Sequence, residues 1–116
     1  MTHATIYHNP RCSKSRQTLA LLEQQGCQLS VIEYLKTPPT ATELTEILAA
    51  LQLSPRELMR TKEDEYRALA LDNPALSDAE LIAAMQANPK LIERPIVLVN
   101  GKAALGRPPE NVLTLL

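Results

Sequence analysis

The start of the chain most constrains what it can fold into. Ala4 to Tyr7 is a short β-prone run. A polar loop follows, His8-Asn-Pro-Arg-Cys-Ser-Lys-Ser15, and then Thr18, Leu19 and Leu22 repeat with helical spacing before Gly26. Leu29 to Tyr34 is a second β-prone run, rich in branched residues. Strand, helix and strand within about 30 residues make a βαβ unit, whose crossover sets the two strands parallel. Such a start commits the chain to a sheet with helices packed on it.

The middle of the chain carries helix signals. Thr40-Ala-Thr-Glu43 reads as a capping box for a helix bearing Leu44, Ile47, Leu48 and Leu51. Ser54-Pro-Arg-Glu57 combines a cap, a proline at the first helical position and a glutamate at the third. Ser77-Asp-Ala-Glu80 opens a helix on Leu81, Ile82 and Met85 that Pro89 ends, and Glu63 to Leu71 predicts a short helix on Tyr66 and Leu69. Beyond Pro95, Ile96-Val-Leu-Val99 meets Asn100-Gly101, a pair suited to the two positive φ angles of a tight hairpin, and Lys102 to Leu105 returns. Val112, Leu115 and Leu116 predict a closing helix. The expected fold class is α/β: βαβ then ββα in a mixed four-stranded sheet, with a helical insertion at about 40–90, all in one domain spanning 1–116.

Charge and composition remove several functions. Twelve Lys and Arg against 13 Asp and Glu leave a net charge of −1, so no basic field draws the chain to nucleic acid or an anionic membrane. With no Phe or Trp and three Tyr, it has little to stack on exposed bases. No segment approaches the ~20 apolar residues of a membrane span, and the first residues lack a basic, then apolar leader, so a cytoplasmic location is expected. Two histidines and two cysteines, widely spaced, do not make a metal-ligand set. No metal is expected.

Cys12 is the chemically informative residue. It falls in the first strand-to-helix loop, where open α/β sheets place ligands and where a helix N-terminus offers free N–H groups. The helix dipole with Arg11, Lys14, Arg16 and His8 nearby in sequence favours the thiolate, the form that attacks electrophiles. Cys27 lies 15 residues on, past the same helix, which puts it on the order of 20 Å away, beyond the ~7 Å Cα separation of a disulfide. It is read as a packing residue. The motif is C-x-x-S, with Ser15 where a dithiol site has its second cysteine, so an outside thiol must complete any redox cycle.

Three arginines stand at positions from which site residues project: Arg60 after Leu58-Met59, Arg94 before Pro95 and a strand, and Arg107 between Gly106 and Pro108. Paired guanidinium N–H donors fit a tetrahedral oxyanion. Arg56 and Arg67 are read as charges on helix faces.

The segments H-N-P-R-C-S-K-S-R, Y-L-K-T-P-P-T, L-M-R at Arg60, E-R-P-I-V at Arg94 and L-G-R-P-P-E at Arg107 together resemble the glutaredoxin-linked arsenate reductase family. The match runs in order through nearly the whole chain. The resemblance implies a thioredoxin-like fold, a cis-proline at Pro95, Cys12 as nucleophile, and Arg60, Arg94 and Arg107 as oxyanion ligands. It also implies that His8 helps set the thiol pKa, with Ser15 as a second supporting residue. The implied reaction begins when the Cys12 thiolate attacks arsenate and water leaves. Glutathione then attacks the arsenylated cysteine, and glutaredoxin removes the glutathione as arsenite is released. Glutathione is thus a co-substrate, and no bound cofactor is implied. Arg11 and Lys14 make this loop more basic than in the best-known reductases of the family.

Two other readings keep a place. One is a glutathione-dependent thiol oxidoreductase acting on another substrate, since one fold hosts many chemistries. The other is a regulator similar to the Spx proteins, which bind RNA polymerase. Those commonly carry C-x-x-C as a switch, and Ser15 and the three retained arginines speak against it.

Overall fold

A computed structural model describes residues 2–116. Its elements run β1 (His3–His8), α1 (Ser13–Gln24), β2 (Gln28–Glu33), α2 (Ala41–Leu51), α3 (Asp64–Ala68), α4 (Asp78–Ala87), β3 (Ile96–Val99) and β4 (Lys102–Leu105). Short 3-10 turns occupy Arg56–Leu58, Pro89–Leu91 and Pro109–Leu115. The chain divides into two compact units, one of residues up to Thr37 with Arg94–Leu116, the other of Pro38–Glu93.

The first unit holds a four-stranded sheet in the order β2-β1-β3-β4. β1 pairs parallel with β2 and antiparallel with β3, so Ile6 sits between Val31 and Val97, and β3 pairs antiparallel with β4. Strand side chains alternate between faces. Ala4, Ile6, Val97 and Val99 therefore meet Leu22 of α1 and Val112 of the last turn in a buried cluster, edged by Leu19, Cys27, Leu29 and Leu115. Cys27 lies in this packing layer, as its sequence context suggested. Each large aliphatic side chain buried here contributes about 1.5–3 kcal/mol relative to exposure, which offsets the lack of Phe and Trp. Asn100 (φ 50°) and Gly101 (φ 78°) make the β3–β4 hairpin with both central residues left-handed. The mixed sheet with helices is the thioredoxin-like arrangement implied by the resemblance.

In the second unit, Thr40 and Ser77 each close a reciprocal capping box, with Glu43 and Glu80. α2 packs on α4, and Leu44, Ile47, Leu48, Leu81 and Met85 are buried. Three expectations change. Ser54-Pro-Arg-Glu57 opens only the turn Arg56–Leu58, because Met59 is already extended (ψ 145°) and bridges Ile92. Arg56 is no solvated charge: its guanidinium donates to the carbonyls of Leu71 and Asn73. In the first unit, the closing segment is a 3-10 run over Pro109–Leu115, and Leu116 is exposed. Among the described residues, no helix is long and apolar enough to cross a membrane.

Candidate active site

β1 ends in a loop whose conformation is held by its own polar groups. His8 and Asn9 are buried. Asn9 organises the turn: its carbonyl accepts the Cys12 N–H (3.0 Å), its Oδ1 accepts the Arg11 N–H (3.0 Å), and its own N–H donates to Ser15 Oγ (3.0 Å). An asparagine bonding two residues ahead is an Asx turn, and this one brings the chain to the first residue of α1. The Ser15 hydroxyl and His8 Nδ1 share a hydrogen bond of 2.6 Å, inside the protein, with its direction set by the imidazole tautomer. Arg16 Nη1 ties the loop from outside by donating to Pro10 O (3.0 Å).

Cys12 sits at the N-cap of α1 with extended backbone (φ −93°, ψ 124°), and it is part-exposed. Burial pushes its thiol up. The Ser15 N–H, the Arg94 guanidinium by hydrogen bond and by charge, and the Lys14 N–H together outweigh burial and hold the thiol below its ordinary value. The stabilising groups are therefore backbone donors of the first helical turn plus one arginine from the far end of the sequence. The side chains of Arg11, Lys14 and Arg16, whose position in sequence suggests such a part, are not among these groups.

His8 plays a part other than that of a cation beside the sulfur. Burial pushes its pKa down first; the Glu33 carboxylate opposes this and Arg16 adds to it, and the net value lies below the ordinary one. The imidazole is neutral near pH 7, and it bears on Ser15, whose N–H stabilises the thiolate.

Arg94 enters through the Arg94–Pro95 peptide, which is cis, as is Arg107–Pro108. Arg107 Nη1 donates to the Arg94 carbonyl (3.2 Å), and its side chain is exposed. Cys12, Arg94, Arg107, His8 and Ser15 thus belong to one unit. Arg60 belongs to the other unit, where Nε bonds Glu63 (3.2 Å) and Nη1 bonds Glu93 (3.1 Å). Sequence spacing missed Asn9 and both glutamates. The N-P pair after a buried strand is a turn signal that points to Asn9. Nothing local points to Glu93, which lies 33 residues from Arg60.

The sequence model of the ArsC family matches residues 7–115. The Escherichia coli K12 protein YfgD, described as uncharacterized, is 57% identical over 95% of this chain and 93% of its own length. An arsenate reductase of Neisseria meningitidis serogroup A is 52% identical, with both chains covered in full. A solved structure, the arsenate reductase from Vibrio cholerae, superposes with a TM-score of 0.97 at 54% identity, covering 99% of this chain and 98% of that one. On both sequence and structure, the chain belongs to the ArsC family.

Proposed function

We propose that this chain is a cytoplasmic arsenate reductase that works through a Cys12 adduct resolved by glutathione and glutaredoxin. The observation that carries this reading is the Cys12 thiol, lowered below its ordinary value by the first turn of α1 and by Arg94. A thiolate beside a guanidinium suits attack on a tetrahedral oxyanion, whose developing charge the arginine can hold. The relatives in Neisseria and Vibrio that carry the name arsenate reductase support the choice of substrate.

In the proposed cycle, the Cys12 sulfur bonds to arsenic and an arsenate oxygen leaves as water after taking up a proton. The adduct is still As(V). Two electrons then come from two outside thiols. Glutathione bonds to the arsenic as a second oxygen leaves as water. Glutaredoxin attacks the glutathione sulfur to form a mixed disulfide while the arsenic–sulfur electron pair reduces arsenic to As(III), and water hydrolyses the remaining Cys12–arsenic bond to release arsenite and the Cys12 thiol. The outside thiols are needed because α1 separates Cys12 from Cys27, which packs in the core layer. Arg94 and Arg107 are assigned to the oxyanion, and Arg60 is assigned to it as well. The cycle requires no metal or bound cofactor.

Omitting glutaredoxin tests this order. With arsenate and glutathione alone, a glutathione adduct is expected to accumulate on the Cys12 peptide and not on the Cys27 peptide, as read by mass spectrometry. An unmodified Cys12 after incubation contradicts the cycle.

A further inference from the structure

β1 and β2 run parallel and end side by side, with His8 in register with Glu33. Open α/β sheets take their ligands beyond such carboxyl ends of parallel strands. A pocket of about 290 Å³ lies at this end of the sheet. His8 and Asn9, both buried, line its inner part, and Arg11, Glu33, Leu35 and Lys36, all exposed, bring it to the surface. Every lining residue belongs to the first unit. The pocket shares a wall with the reactive thiol, because the Asn9 carbonyl accepts the Cys12 N–H (3.0 Å) and Arg11 directly precedes Cys12.

The charges around this pocket are mixed in sign. Lys36 Nζ lies 3.7 Å from Glu33 Oε1, with side chains 77% and 44% exposed. A pair so exposed is worth little, and an incoming ion exchanges with it at small cost. Arg11 ties the turn through its main-chain N–H, so its side chain is not what holds the loop. His8 is neutral near pH 7 and adds no charge. Two cations and one carboxylate are the complement of a ligand that bears two carboxylates and one ammonium. Leu35, 40% exposed, adds an apolar contact between them.

We propose that this pocket seats glutathione, with Arg11 and Lys36 taking its two carboxylates and Glu33 its ammonium. This rests on the reading above in which glutathione is the co-substrate. Glutathione carries those three charges with its thiol between them. A tripeptide spans on the order of 10 Å, so one held against Arg11 keeps its thiol within reach of the next residue, Cys12. The volume stands at the small end of ligand pockets, which suits a molecule of that size.

The test titrates S-methylglutathione, whose blocked thiol permits binding without reaction, into the full chain and follows amide NMR shifts. Saturable shifts are expected at Asn9, Arg11, Glu33 and Lys36. Arg11→Ala combined with Lys36→Ala should weaken binding by about five- to tenfold, the loss of two exposed charge contacts. N-acetyl-S-methylglutathione, which lacks the ammonium, should bind the parent several-fold more weakly than S-methylglutathione, whereas Glu33→Gln should bind the two alike. Tighter binding of the acetylated ligand to the parent would reduce the pocket to a general attraction of anions and overturn the proposal. A parent that reduces arsenate with glutathione but gives no saturable shifts at these residues overturns the pocket and leaves the reductase standing. A parent that binds S-methylglutathione here without reducing arsenate upholds the pocket and overturns the reductase instead.

Discussion

Arg94→Ala is expected to lower kcat/KM for arsenate by about 10²–10³-fold, the usual cost of removing one preorganised charge-stabilising donor. The same substitution should move the pH midpoint of Cys12 alkylation upward. The sign follows from the side chain's action on the thiolate: Arg94 lowers the thiol by hydrogen bond and by charge, so its loss leaves burial opposed only by the N–H groups of Ser15 and Lys14. The reactive thiolate is present above the thiol pKa and lost below it, so a higher pKa removes it from neutral pH. Iodoacetamide rates measured across pH in a Cys27→Ser background read this directly. The parent midpoint should lie below the ~8.5 of a free cysteine and rise in Arg94→Ala. Arg94→Lys keeps charge without the fork, and should hold the midpoint low while raising arsenate KM. A midpoint and kinetics untouched by Arg94→Ala would remove Arg94 from both roles.

Gly106→Ala should reach the site through packing. A Cβ at Gly106 would lie 2.7 Å from Pro95 Cγ and closer still to Thr18 Oγ1. Neither neighbour yields cheaply. Pro95 is a ring at the start of β3 whose carbonyl accepts the Gly106 N–H (2.9 Å). Thr18 is fully buried, with its hydroxyl donating to Lys14 O (2.8 Å) and reaching Gly106 O (3.5 Å). Gly106 is thus the place where α1, which carries Cys12, comes close to the Pro95 turn, which carries Arg94. Overpacking of this kind costs about 1–3 kcal/mol, or roughly 5–15 °C in Tm for a chain of this size. Because relief of the clash moves α1 away from Pro95, arsenate turnover measured well below Tm should fall too. Thermal unfolding followed by circular dichroism checks the first effect; a Tm within about 1 °C of the parent contradicts the close approach.

The parts of the fold legible in the sequence are those set by local signals. Thr40 with Glu43 and Ser77 with Glu80 announce helix starts because each box is closed within four residues, and Asn100-Gly101 announces the hairpin because two positive φ angles suit that pair. Local signals misled where a distant partner decided the conformation. Ser54-Pro-Arg-Glu57 has the composition of a helix start, and Glu57 does accept the Ser54 N–H (2.8 Å), yet Met59 pairs with Ile92 and ends the turn at Leu58. Val112 and Leu115 are three residues apart, a spacing that a 3-10 run satisfies as well as an α-helix does.

The candidate site divides in the same way. Cys12 at a helix N-terminus was visible from the loop and from the periodicity that follows it. The cation that stabilises the thiolate was not, because Arg94 is brought there by the sheet, while of the nearer pair Arg11 gives its main-chain N–H to Asn9 Oδ1 and Arg16 gives its guanidinium to Pro10 O. His8 reads as a cation in sequence and is a buried neutral ring in the fold. Burial decides that charge, and burial belongs to tertiary structure.

The measurement that bears most directly on the proposed reductase is arsenate-dependent NADPH oxidation in a mixture with glutathione, glutaredoxin and glutathione reductase, comparing the parent with Cys12→Ser. Oxidation is expected with the parent and should fall to background with Cys12→Ser. A folded parent that shows no arsenate-dependent oxidation, or a Cys12→Ser variant that retains it, would contradict a reductase acting through Cys12.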